Sequence, residues 1–100
     1  MILNGVTIPE QKIAEFSQRH GIARLAFFGS VLTDQFTAES DIDVLVDFFP
    51  DRVPGLFEFE SMRDELTTLL GRTVDLRTPA FLSRYFRDEV IRHAKVAYAA

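Results

Sequence analysis

Gly29-Ser30, separated by ten residues from Asp41-Ile42-Asp43, constrains this 100-residue chain more than any other feature, because a phosphate-binding turn and a carboxylate pair serve one another only when the fold brings them together. Ahead of the turn, Ile22-Ala23-Arg24-Leu25-Ala26-Phe27-Phe28 is a mostly apolar run of strand length, and Val31 to Phe36 has room for about two helical turns. Gly29-Ser30 is therefore expected to be a strand-to-helix turn. There Gly29 takes backbone angles closed to other residues and admits a phosphate, and Ser30 either caps the short helix or turns its hydroxyl to the ligand. Free amides at such a helix start attract anions. From Ser40 to Phe48 the chain alternates, so a strand there puts Ile42, Val44 and Val46 on one face and Asp41, Asp43, Leu45 and Asp47 on the other. For Ser30 at the end of one strand to meet Asp41 at the beginning of the next, the two strands run antiparallel across the short helix. The result is a mixed sheet rather than a doubly wound one.

Carboxylates projecting side by side repel unless a cation lies between them. Clustered carboxylate oxygens suit hard ions such as magnesium, which keeps a few carboxylates plus substrate phosphates as ligands. An isolated Asp-x-Asp is more often a solvated strand face; the Gly-Ser turn upstream moves the reading toward metal. A third carboxylate adds to it. Leu69-Leu70-Gly71 ends a helix and Thr73-Val74-Asp75-Leu76-Arg77 follows as a short strand, in which Asp75 points away from Val74 and Leu76 and can face the pair or stay a strand-edge residue. A Gly-Ser turn with these carboxylates matches what two-metal phosphoryl transfer requires: a triphosphate grip, bridged cations and a group near the incoming hydroxyl. Asp47 lies about 13 Å along the strand from Asp43 at about 3.3 Å per residue, too far for a common metal. Arg72 and Arg77 flank the Asp75 strand and could touch triphosphate, but are read as solvated or ion-paired and stay outside the catalytic set. His20 and His93, near helix ends, are read as structural.

On these residues the chain resembles the DNA polymerase β-type nucleotidyltransferase superfamily, and its length resembles the minimal nucleotidyltransferase (MNT) branch. The likeness extends over Leu69-Leu70-Gly71-Arg72-Thr73-Val74-Asp75-Leu76 and a closing helix through Ile91 to Tyr98. What the resemblance implies is a magnesium-dependent enzyme with ATP as substrate and two metal ions. Gly29 and Ser30 would hold the nucleotide's terminal phosphates, Asp41 and Asp43 would bind both metals, and Asp75 would join the catalytic metal and help activate the nucleophile. It also implies a partner. MNT proteins typically pair with HEPN-domain ribonuclease toxins and act as antitoxins by transferring AMP to a tyrosine of the toxin, releasing pyrophosphate. Two rivals stand beside this reading: an antitoxin that neutralises by occlusion alone, and a catalytic subunit acting on a small molecule.

The rest of the chain fits an α/β (α+β) fold of order α-β-α-β-α-β-α in one domain over residues 1–100. Thr7-Ile8-Pro9-Glu10 reads as a capping-box-like start, with Ile13 and Phe16 on one helical face and Gly21 as the stop. Leu56, Phe59, Met62, Leu66 and Leu69 recur at helical spacing. Thr78-Pro79 is expected to open a last helix with Leu82, Tyr85, Phe86 and Val90 as its apolar stripe, and Lys95 to Tyr98 is either its frayed end or a short strand. With no Cys, and with neither a basic leader nor a long apolar run, a soluble cytoplasmic protein is expected. A net charge of −4 argues against direct nucleic-acid binding and suits a cationic protein partner, hence a hetero-oligomer with the toxin. Ten Phe and two Tyr exceed what so small a core easily encloses. Phe48, Phe49, Phe57, Phe81, Tyr85 and Phe86 are therefore candidates for an apolar protein-binding patch.

Overall fold

A four-stranded mixed sheet organises the chain, and its computed structural model describes residues 1–100. The elements in chain order are β1 (Ile2–Leu3), β2 (Val6–Thr7), α1 (Glu10–Arg19), β3 (Ile22–Phe28), a 3₁₀ turn (Gly29–Leu32), β4 (Ile42–Phe48), α2 (Leu56–Leu70), β5 (Val74–Arg77), a second 3₁₀ turn (Pro79–Phe81), α3 (Arg87–His93) and β6 (Lys95–Ala99). The sheet order is β5-β4-β3-β6, with β4 antiparallel to β3, β6 antiparallel to β3, and β5 parallel to β4. The antiparallel β3–β4 pairing and the mixed sheet are as the Gly-Ser to Asp-x-Asp spacing requires.

The alternation of β4 puts Ile42, Val44 and Val46 into the main core, all fully buried, against Ile13 and Phe16 of α1 and Met62 and Leu66 of α2. Helix α2 contributes a clean i, i+4 row, with Met62, Leu66 and Leu70 buried. It stops where Gly71 takes a left-handed conformation, φ 71°, and donates its N–H to the Thr67 carbonyl. The Thr67 hydroxyl in turn accepts from the Val74 N–H at 3.2 Å, which fixes the start of β5. Deleting a fully buried ring such as Phe16 or Phe27 would cost about 3–5 kcal/mol.

Several local expectations change. The N-terminus forms a hairpin whose Asn4-Gly5 turn has positive φ at both residues, 48° and 81°. Thr7 is consequently paired with Ile2 and makes no capping box; Pro9 precedes α1 without a side-chain cap. The segment after Gly29-Ser30 is a single 3₁₀ turn ending at Leu32, not two turns of helix to Phe36, and Thr33, Thr37 and Ser40 build the following loop through side-chain hydrogen bonds. The final helix does not start at Pro79. Leu82 is extended and buried, α3 begins only at Arg87, and Tyr85 and Phe86 lie outside it, 83% and 55% exposed. Lys95 to Tyr98 belongs to a strand, because β3 would otherwise leave an edge unpaired.

Candidate active site

Register places the candidate residues at one end of the sheet. Phe28 lies opposite Asp43 across the antiparallel pair, and Asp43 lies opposite Asp75 across the parallel one, so Phe28, Asp43 and Asp75 line up across β3, β4 and β5, and Gly29 follows directly after the end of β3. Gly29 has φ 75°, and a Cβ built on it would stand 2.1 Å from Oδ2 of Asp43. Only a residue without a side chain lets the carboxylate occupy that space. Asp41 lies one residue before β4, exposed and without an ion pair within the chain.

Burial raises Asp43 from the ordinary 3.8 to about 6, with the Asp75 carboxylate and then Asp41 adding to the rise and Arg77 opposing it. Like charges facing one another in a partly desolvated place are a donor set that a divalent cation would relieve. The structure does not, however, gather three of these side chains closely enough to hold a metal ion unaided. Asp75 is engaged elsewhere: Nε of Arg77 donates to its Oδ1 and Oδ2 at 3.2 and 3.3 Å, and Nη2 donates to Oδ2 at 3.2 Å. That bond raises the Arg77 pKa, so the guanidinium is firmly charged. The ion-paired reading of Arg77 therefore holds, with a candidate site residue as the partner.

Two supporting residues carry no role in the motif. Arg72 directs Nη2 at the carbonyls of Thr37, Ala38 and Ser40, at 2.9, 3.1 and 2.7 Å, and its guanidinium lies 4.6 Å from the Phe36 ring centroid. It thus clasps the loop leading into Asp41, a role that nothing in the local sequence signals. Asn4 donates to the carbonyls of Val31 and Thr33, bracing the turn that contains Ser30 from the N-terminal hairpin. Here a signal does exist, since Asn-Gly is a strong hairpin turn. His20 packs at a tilt of 54° against Phe16, with 4.7 Å between centroids, and contacts Glu65, which Arg19 also holds. Its role is structural.

Next to Gly29 a cleft of about 490 Å³ runs between Leu32 and Val90, with Glu89 and His93 of α3 on its wall. A depression of similar size, about 500 Å³, between β2 and the end of α2 contains no acidic side chain. Volume alone does not locate the chemistry; the carboxylates do.

The Nucleotidyltransferase domain family matches residues 10–97. A protein adenylyltransferase, MntA, of Thermococcus cleftensis is 33% identical over 78 residues, covering 78% of this chain and 77% of that one. A solved structure of a minimal nucleotidyltransferase is similar at 32% identity with a TM-score of 0.70, covering 85% of each chain. A chain from a complex of a tri-AMPylated Shewanella oneidensis HEPN toxin with its MNT antitoxin shares the fold, with a TM-score of 0.65 at 20% identity over 91% of this chain and 70% of that one. With the family's sequence pattern spanning α1 to β6 and a sheet that superimposes on minimal members, this chain belongs to the nucleotidyltransferase family, in its minimal branch, and is a nucleotidyltransferase.

Proposed function

We propose that this chain, acting as a single domain, transfers AMP from ATP to a tyrosine hydroxyl of a HEPN-type toxin and thereby serves as its antitoxin. The observation that carries the reading is that Asp43 and Asp75 face one another on neighbouring strands beside the Gly29 turn, with the glycine's missing Cβ leaving room for the Asp43 carboxylate. The relative named a protein adenylyltransferase, and the structural neighbour from a complex of an AMPylated HEPN toxin with an MNT antitoxin, support the choice of AMP as the group transferred and of a toxin as the acceptor protein.

In this reading Ser30 donates its hydroxyl to the terminal phosphates, and the cleft next to Gly29 has room for more of the nucleotide. Asp41, Asp43 and Asp75 would hold magnesium, which when bound supplies charge neutralisation at the phosphates and acidifies the attacking hydroxyl. The rise of Asp43 to about 6 and the glycine cradle fit such a group. Asp75 stands on the acceptor side and takes part in removing the hydroxyl proton. A bond forms between the tyrosine oxygen and the α-phosphorus, the bond from that phosphorus to the bridging oxygen breaks, and pyrophosphate leaves.

The acceptor arrives on another protein. Val53, Leu56 and Phe81 are 68%, 69% and 70% exposed and line an apolar groove of about 320 Å³ with half-buried Phe48 and Phe59. Such a groove suits a protein partner. No helix of the structure is long and apolar enough to cross a membrane. The test is to mix this protein, MgATP and a HEPN-type toxin, then weigh the partner intact and assay its ribonuclease. An AMP-sized gain on a tyrosine with lost ribonuclease activity supports the proposal. Inhibition at unchanged mass, persisting in the Asp41→Asn, Asp43→Asn double variant, would hand the case to occlusion.

A further inference from the structure

Asp75 and Arg77 are two residues apart on β5 and so project from the same face of the strand. Opposite Asp75 in β4 is Asp43, but opposite Arg77 is Leu45, which offers no charge. The guanidinium therefore has no acidic partner straight across the ladder and folds back on Asp75 through three hydrogen bonds. Both side chains are partly open to water, 46% and 38% exposed. A pair so exposed is weak and easily exchanged. It also occupies both oxygens of a carboxylate that would otherwise be available beside Asp43, and no three acidic side chains converge in the chain as it stands.

We propose that Arg77 is the resident counter-cation of the site: it holds Asp75 while no divalent ion is bound, and the ion binds by displacing the guanidinium from that carboxylate. The inference rests on the magnesium reading above. Two consequences follow from the geometry. Without metal, Arg77 offsets the repulsion among the clustered carboxylates and keeps their side chains ordered. With metal, the released guanidinium is a free cation beside the polyphosphate, so cation and nucleotide assist one another.

The experiment is calorimetric titration of Mn²⁺ into the nucleotide-free protein, alongside melting temperatures in EDTA and in Mn²⁺. Arg77→Gln, which removes the charge and leaves a shorter polar side chain, should bind Mn²⁺ roughly fivefold more tightly than the parent, the gain expected from releasing one exposed ion pair. It should melt lower in EDTA and gain more from Mn²⁺ than the parent does. Arg77→Lys, which keeps a charge without the planar fork, should fall between the two. If the parent binds Mn²⁺ in a manner that Asp43→Asn abolishes, yet Arg77→Gln binds no more tightly, the exchange is wrong and the magnesium reading stands. If neither parent nor Arg77→Gln binds Mn²⁺ at millimolar concentration, the magnesium reading falls and this inference with it.

Discussion

Gly29 and Asp43 share a volume that holds only one of two things, a carboxylate or a methyl group: a Cβ on the glycine would lie 2.1 Å from Oδ2 and 3.1 Å from Cγ of the aspartate. The turn that would receive a nucleotide's phosphates is thereby packed directly against the carboxylate that would share their cation. Gly71 has a comparable φ of 71° but nothing within 4 Å of its would-be Cβ. The pair of glycines separates backbone strain from site geometry. Gly29→Ala and Gly71→Ala should each cost about 1–2 kcal/mol of stability from the left-handed backbone. Gly29→Ala alone should displace Asp43 and weaken MgATP binding at least tenfold. Thermal melts and titration calorimetry check both, and unchanged MgATP affinity in Gly29→Ala would remove the cradle from the argument.

Asp43 gives a pH dependence with a defined sign. Its folded pKa, about 6, lies above the ordinary 3.8, so the native state keeps this proton longer than the unfolded chain does. Between those values the native state binds more protons, and the Asp43 contribution to stability falls as pH rises. Asp43→Asn removes that loss. In EDTA the variant should gain on the parent by about 1 kcal/mol from pH 4 to pH 7, a figure discounted for the partly solvated side chain. Denaturant titrations at pH 4, 5.5 and 7 measure the difference, in which titrating groups remote from Asp43 cancel. A gap that stayed flat or shrank would contradict the raised value. Transfer activity in the same variant should be abolished.

Asp75 and Ser30 should separate chemistry from binding. Asp75→Asn is expected to keep much of the MgATP affinity and lose turnover by about a hundredfold or more. Ser30→Ala should raise KM for ATP while kcat falls less. Steady-state kinetics with calorimetry decide the split, and parental turnover in Asp75→Asn would return that residue to the status of a strand-edge carboxylate.

Arg72 acts at a distance from the carboxylates. Removing its three hydrogen bonds to the 37–40 loop in Arg72→Ala should cost about 1–2 kcal/mol. The Ser40 amide, which donates to the Thr37 carbonyl, should then exchange its hydrogen faster. Asp41 rides on that loop, so MgATP affinity should fall with it. Hydrogen exchange unchanged at residues 37–40 would count against the clasp.

The apolar groove should be separable from catalysis. Phe81→Glu and Leu56→Glu, at positions 70% and 69% exposed, should leave folding and MgATP affinity intact while weakening the complex with the HEPN partner. Because this chain carries a net charge of −4, association with a basic partner should slow as salt rises. Pull-down and stopped-flow binding at two salt concentrations test both. Full affinity in both charged variants would move the docking surface elsewhere.

What the sequence determined by itself was local or forced by chain geometry. The alternation of Ile42, Val44 and Val46 sets the buried face of β4, Gly71 ends α2, and the short span from Ser30 to Asp41 leaves β3 and β4 only an antiparallel arrangement. These follow from side-chain period, backbone freedom and reach, which act within a dozen residues. The tertiary structure decided the rest. That Asp75 falls opposite Asp43 depends on the register of a parallel pair joined through the whole of α2. That Arg72 reaches back to the loop before Asp41, and Asn4 to the turn after Ser30, depends on contacts 32 to 35 and 27 to 29 residues apart in the chain. Tyr85 and Phe86 have helical spacing with Leu82 and yet lie in solvent, because only Leu82 finds a place in the packed interior and α3 cannot begin until the chain has left it. Spacing fixes which side chains are able to share a face, and packing of distant segments decides which of those faces exists.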